Sequence, residues 1–390
     1  TRSVPDRSDL VAVTENHVQL EPGRRACITF ALAFWHHADE LRRVLGNLGD
    51  GPGILERTRQ SWMKRLDACQ VWTPDATINA GGAWAKVNMV RVLAKYPKGL
   101  TFTNDPGRSS NVVTRDVIWF TYGCDHFLPN ASREMLDRLG ETQYDSGMMP
   151  EYYNARTGDR DDYGLNINDG TPLYVLGVNH HARSTGDMEW LEQTYDRVAS
   201  ACRYVLSQRD DRGLIYCDSE GVGERGIVSW RNVISGYQIS GAVTEINAEC
   251  AAALRAMGHM AANIGRDDEG RHFREASEEL TESVNRHLLD PDRQFYLLNI
   301  DPKGRPHSDV TADEVFPVLF RVADESVAYR IIRRLNAPDF WTGAGLRTTS
   351  KLDPLYDPSR YVGLIGGVWP GLTWWYAFAA ARYHPEFMVR

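Results

Sequence analysis

Between Ser229 and Glu245 the chain gathers side chains able to grip a polyol. Trp230 offers a flat face for a sugar ring, and Arg231, Asn232, Tyr237 and Gln238 offer hydrogen bonds to hydroxyls. From Val243 the pattern turns helical, with Ile246, Cys250, Ala253, Leu254 and Met257 on one stripe, so Glu245 stands at a helix mouth. Other helix mouths carry comparable groups. Asp169, between Asn168 and Gly170, either caps the helix that follows or turns its carboxylate toward hydroxyls. Arg115 and Asp116 open another helix, with Trp119 one turn on; an acidic first turn also suits the helix dipole. Gly366-Gly367-Val368-Trp369-Pro370 places a proline at a first turn and glycines where backbone can approach a ligand closely, with Trp374 after them. The loop 141–168 adds Tyr144, Asp145, Glu151, Tyr152 and Tyr153. Its Asp159, Asp161 and Asp162 lack the ligand spacing of a Ca²⁺ loop, so no metal is assigned, and no cofactor is expected.

Composition narrows the partner class. The 11 Trp and 17 Tyr include many beside Gly, Asp or Pro, where a ring can cover a pyranose instead of filling the core. A formal net charge of -8 without a Lys/Arg block argues against nucleic acid and anionic membranes. No apolar run reaches the roughly 18 residues of a membrane span. The 6 Cys are scattered without CxxC spacing, which reads as buried thiols in a cytoplasmic protein and not as a disulfide or zinc framework. No signal-peptide pattern leads the chain, and nothing sets an oligomeric state.

These groups need a frame. Helical patterns are expected at roughly 52–70, 77–95, 114–127, 131–140, 169–186, 188–207, 243–264, 266–288, 311–322, 325–336 and 367–383, with starts marked at Asp187 and Thr311. Connections alternate between short turns and long loops rich in Gly, Asp and aromatics: 97–113, 141–168, 208–242, 289–310 and 337–366. Long loops of this kind are usually functional. Hairpins with short turns at one end and long loops at the other describe an all-α toroid whose long loops surround a pocket. Eleven helices is one short of a ring of six pairs. Residues 1–45 differ: Val18 and Leu20, a Pro22-Gly23 turn, then Ala26, Ile28 and Phe30 alternate like a strand pair.

Four motifs, TRDVIWF at 114–120, the Asn168-Asp169-Gly170 helix mouth, SWRN at 229–232 followed by TEINA, and GGVWP at 366–370, stand in an order that resembles the inverting (α/α)6-barrel glycosidases. The nearest look-alikes are glycogen-debranching amylo-1,6-glucosidases. More distant ones are trehalase-like, glucosylglycerate-hydrolase-like and cellobiose-phosphorylase-like enzymes. The resemblance covers about residues 50–385. It implies a β strap or β-sandwich remnant at 1–45, an (α/α)6 catalytic domain at 46–390 short of its last helix, a glycoside or oligosaccharide substrate, and inversion at the anomeric carbon. An exo-acting α-glucosidase is the centre of that expectation. In these families a Trp-x-Asp supplies the general acid, and here Asn232 holds the matching position. An amide cannot protonate a leaving oxygen. The families' general base follows the Trp-Pro helix and is expected beyond Arg390. Arg115, Asp116, Trp119, Tyr144, Asp145, Asp169, Trp230, Arg231, Gln238, Trp369 and Trp374 would line the sugar site, and Glu245 would hold a hydroxyl or orient position 232. Two alternatives stay open. One is an inverting phosphorylase, with His180-His181 or Arg347-Thr348-Thr349 as a phosphate cradle. The other is a carbohydrate-binding protein that has lost its acid.

Overall fold

The computed structural model describes residues 13–30, 37–46, 51–218, 228–231 and 239–388. Contacts divide the chain into Thr1–Ala68 and Cys69–Arg390. The first unit holds α1 (Ala38–Gly46) and α2 (Gly51–Leu66). The Pro22-Gly23 turn forms, with Arg24 N–H donating to Glu21 O at 3.0 Å. The strand pair expected on either side of it is not found: no strand runs through 13–30, and Val18, Leu20, Ile28 and Phe30 are exposed. Two strands alone are marginal in water, and with no apolar face buried nothing here favours a ladder.

The second unit begins with α3 (Ala76–Val92), capped by Asp75, whose carboxylate accepts from Thr77 N at 2.7 Å. Helical hairpins follow: α4 (Thr114–Cys124) and α5 (Pro129–Glu141), α6 (Gly170–Thr185) and α7 (Met188–Ser207), α8 (Thr244–Asn263) and α9 (Asp267–His287), α10 (Val315–Leu319) and α11 (Glu325–Leu335), then α12 (Pro370–Tyr383) and the short α13 (Pro385–Met388). The first member of each hairpin packs on the first member of the next, α4 on α6, α6 on α8, α8 on α10 and α10 on α12. Trp119 of α4 meets Trp375 of α12 at 5.2 Å between ring centroids, so α12 returns to α4. The second members pack outside them, α5 and α7 on α6, α9 on α8, α11 on α12. This is the (α/α)6-type toroid.

Sequence sets the two layers apart. Inner α8 is buried almost all round, and its Ala248, Ala251, Ala252, Ala253 and Ala256 let neighbouring helices come close. Outer α9 is amphipathic, burying Phe273, Ala276, Leu280 and Val284 at helical spacing and leaving acidic residues outside. Asp187 caps α7 as expected, accepting from Trp190 N at 3.0 Å. The helix expected at 311–322 is shorter: a 3₁₀ turn at Ala312–Glu314 leads into α10, which ends at Leu319, and Thr311 makes no side-chain cap.

The long loops are not structureless. Strands at Asn111–Val113, Tyr152–Asn154 and Arg160–Asp161 form one antiparallel sheet. Strands at Tyr216–Cys217, Gly241–Val243, Asn299–Ile300 and Pro306–His307 form another. Two of these strands run straight into α4 and α8, so the sheets brace the mouths of the inner helices. No described helix is long and apolar enough to cross a membrane.

Candidate active site

At the mouths of α4, α6 and α8 the structure joins side chains that lie far apart in sequence. Asp169 precedes α6 but makes no cap bond to it. Its carboxylate instead takes a fork from Arg115 of α4, through Nε and, at 2.9 Å, through Nη2. The same Nη2 donates to Glu151 at 3.3 Å and to the Ser229 carbonyl at 3.4 Å. Asn168 donates to Glu151 at 2.9 Å and accepts from Ser229 N at 2.9 Å. Glu245, in the first turn of α8, accepts from Trp230 N at 3.0 Å. Ser229 is held at φ +128°, a region non-glycine residues avoid, and its N–H, carbonyl and hydroxyl are all engaged. Strain of this kind persists only where the surroundings impose it.

A buried acidic cluster lies behind this network. Asp169, Glu245 and Glu249 bring one carboxylate oxygen each within 4.8 Å of one another. One oxygen of Glu245 and one of Glu249 are buried without a hydrogen-bond partner among the described residues. Burial, and then the neighbouring Asp313 and Asp169, push the Glu245 carboxyl well above the usual carboxylate range. Burial and then Glu245 do the same to Glu249. Burial also raises Asp116 and Glu151, with Arg115 opposing in both. Three oxygen donors would suit a hard divalent cation, but the guanidinium of Arg115 already supplies positive charge at Asp169. The cluster is too tight to be an inverting acid–base pair by itself, because such a pair stands about 6.5–9.5 Å apart to admit water. Its chemistry is that of acceptors and, once protonated, donors for hydroxyl groups.

The aromatic residues sort differently from the sequence reading. Trp230 is buried, donates Nε1–H to Asp313 at 2.9 Å and sits 5.7 Å from both Trp369 and Trp375. Trp119 contacts Trp375 in the lumen. Trp374, expected at the site, is 64% exposed, whereas its neighbour Trp375 is 8% exposed and faces the axis. Adjacent helical positions point about 100° apart, so only one of the pair can face inward.

Arg231 is also corrected. Expected to grip a sugar, it is fully buried and bonds Asp313 at 3.0 Å and the carbonyls of Leu364 and Thr348. It cross-braces the loop before α8 to the mouth of α10 and the loop before α12. Tyr144 is half-buried under the Arg160 guanidinium at 4.1 Å, Asp145 is exposed, and among the described residues no hydrogen bond links either to the Arg115 network. Asn232 and Gln238 lie outside the described residues, as does Tyr237.

The phosphate cradles considered for a phosphorylase do not converge here. His180 and His181 bind Asp125 at 2.7 Å each, at the far ends of α6 and α4. Arg347 is spent on the Phe340 and Trp341 carbonyls, and Thr348 bridges Gly363 O and Gly366 N. Sequence reasoning missed Glu249 and Asp313, chose Trp374 over its neighbour Trp375 for the site, and did not place Glu151 in the network. Glu249 was findable, since it stands one turn from Glu245 on the same helix face.

Residues 110–387 match the family model described as mannosylglycerate hydrolase MGH1-like glycoside hydrolase domain. The chain belongs to this family. It is a glycosidase, in the class that the four motifs resemble; the matched model is of the mannosylglycerate hydrolase type, while glycogen-debranching enzymes were the nearest expectation. No curated protein matches the chain. Among solved structures it is similar to the GH63 mannosylglycerate hydrolase of Thermus thermophilus in complex with Tris and D-glycerate. That likeness has a TM-score of 0.63 at 15% identity, over 78% of this chain and 89% of the other. An uncharacterized conserved protein of Thermus thermophilus gives 0.62 at 15% identity, covering 77% and 88%. A GH78 rhamnosidase of a Bacillus species gives 0.60 at 17% identity over 82% of this MGH1-like chain, which spans only 30% of that enzyme. At such identities these likenesses show the toroid fold.

Proposed function

We propose that this MGH1-like chain acts on a short α-glycoside, exo-wise and with inversion, and that Asn232 holds the general-acid position. The observation that carries the reading is the group of Arg115, Asp169, Glu245 and Glu249, buried together at the loop-rich end of the inner helices. Buried carboxylates with unpartnered oxygens fit the hydroxyls of one non-reducing hexose. D-glycerate and glucose accompany the Thermus thermophilus neighbour, which supports a hexosyl-glycerate or similarly short substrate here. Trp230, whose N–H donates to Glu245, and Trp369, 5.7 Å from it, are the aromatic residues nearest in this reading to a sugar ring held by the group. Glu245 accepts from Trp230 N and so fixes the start of the loop that carries position 232.

The test pairs binding with turnover. Losing general-acid help typically costs about 10²–10⁴-fold in rate, while ground-state affinity rests on other groups. Asn232→Asp is expected to raise sugar release at least about a hundredfold with little change in calorimetric affinity. Equal turnover before and after would place the acid elsewhere. Phosphate dependence would instead indicate a phosphorylase, and tight binding with no turnover in either form a binding protein.

A further inference from the structure

The opposite end of the toroid holds a cavity that the proposed reaction does not use. It encloses about 490 Å³ between the C-terminal halves of α4, α6, α8 and α12 and the end of α10. Along α6 its lining runs from Leu176 to Arg183, 7 to 14 positions from Asp169, or about 10–20 Å at the rise of a helix, and along α8 it begins at Ala252, about one turn beyond Glu249. Its basic lining is Arg183, Arg255, Arg321, Arg382, His180 and His259. None of the four guanidinium groups makes an ion pair among the described residues. Two carboxylates lie near Tyr122 of this wall: Asp125, already taken by His180 and His181, and Glu249, which belongs to the buried acidic cluster. Four guanidinium groups without a carboxylate partner among the described residues therefore line one cavity in a chain whose formal net charge is -8; Arg183, Arg321 and Arg382 are exposed, with Arg382 over the Tyr383 ring at 5.8 Å.

Helix dipoles explain only part of this. Cations are favourable in the last turn of a helix, and Arg183 and Arg382 occupy last turns. Arg255 does not, because it stands two turns before Asn263, the last residue of α8. It is partly buried, donates to the Phe320 carbonyl at 2.6 Å, and is disfavoured as a cation by burial and then by Arg321. Arg321 stands where a helix exit normally carries glycine: φ is +58°, and Val322 N–H reaches back to Pro317 O at 2.8 Å. An arginine there costs stability that glycine would not. Around these charges Tyr122 stacks on His180 at 4.0 Å between centroids, and Phe378 and Tyr383 complete an aromatic edge.

We propose that this end of the lumen is a second binding site, for a small phosphate-bearing molecule. The guanidinium groups supply forked donors for phosphate oxygens, and the aromatic edge receives the less polar part of the ligand. The volume is of the size usual for small-molecule sites. The inference is independent of the sugar reading at the other end.

The experiment is calorimetric titration of the whole chain with inorganic pyrophosphate and with inorganic phosphate, against sodium chloride at matched ionic strength. Saturable pyrophosphate binding is expected. Each charge-assisted contact contributes enough that Arg183→Met/Arg382→Met should weaken it at least about tenfold. Both side chains are exposed, so folding should survive. Arg321→Gly is the second variant. It relieves the left-handed backbone, so thermal stability should hold or rise while pyrophosphate binding weakens. No saturable binding to the folded wild-type chain would overturn the proposal, as would equal heats from chloride or binding unchanged in both variants.

Discussion

At the residue scale the site depends on balancing buried charge. Asp169 is 1% exposed, and its compensation is the Arg115 fork. Removing one partner of a buried ion pair typically costs about 3–5 kcal/mol, because the other charge is left without compensation. Arg115→Met should therefore destabilise the chain by about that amount in urea titrations, with the loss partly restored when Asp169→Asn is added. Additive losses in the double variant would mean the two groups are not coupled.

Glu314 gives a pH-dependent prediction. Burial pushes its carboxyl up to about 8 from 4.5, against a hydrogen bond from Tyr296 N. The folded chain then binds a proton that the unfolded chain releases, so this group's contribution is complete below pH 4.5 and is lost as pH rises toward about 8. Glu314→Gln keeps an acceptor for Tyr296 and does not titrate. Its stability relative to wild type should improve by up to about 1.4 kcal/mol per pH unit across that window. Unfolding curves at the two ends of the window check this, and parallel pH profiles would refute it.

At the element scale the α8–α9 hairpin is held at close range by glycine. A Cβ on Gly258 would meet the Gly270 carbonyl oxygen at 2.9 Å and Arg274 Cγ at 2.6 Å. Backbone cannot yield as a side chain can, so Gly258→Ala should cost about 1–3 kcal/mol through overpacking. Gly82 in α3 meets nothing within 4 Å. There alanine only improves helix propensity, and Gly82→Ala should leave stability equal or raise it by up to about 1 kcal/mol. Thermal melts should therefore fall for Gly258→Ala but not for Gly82→Ala, and a loss in both would contradict the packing argument.

At the scale of the whole molecule the inner helices meet on a set of rings at the axis. Trp375 lies 5.2 Å from Trp119, 5.7 Å from Trp230 and 5.2 Å from Phe316, which ties α12 to α4, to the loop before α8 and to α10. Trp375→Ala should cost about 3–5 kcal/mol, as large core truncations do. Trp374→Ala, one position away on the surface, should stay within about 0.5 kcal/mol. Denaturant midpoints of the two variants decide the matter, and equal losses would mean that Trp375 does not hold the ring together.

Sequence alone determined most of the long helices, though not the small sheets in the loops or the end of α10. Apolar stripes and polar punctuation marked α7, α8, α9 and α11 to within two residues at each end, because those signals are local. Chemistry at helix mouths was also legible: Arg115, Asp169 and Glu245 each stand where an element begins. Local reading equally admitted Asp169 as a cap, and only the approach of Arg115 from α4 decided against it. Arg231 sits in a loop rich in polar groups, yet the meeting of three distant segments turns it into a buried brace. The choice between Trp374 and Trp375 depended on the rotation of α12 about its axis, which packing sets. The crowding of Asp169, Glu245 and Glu249, and the four arginines at the far end, exist only because successive inner helices run the same way. That parallel arrangement collects their starts at one end of the ring and their ends at the other.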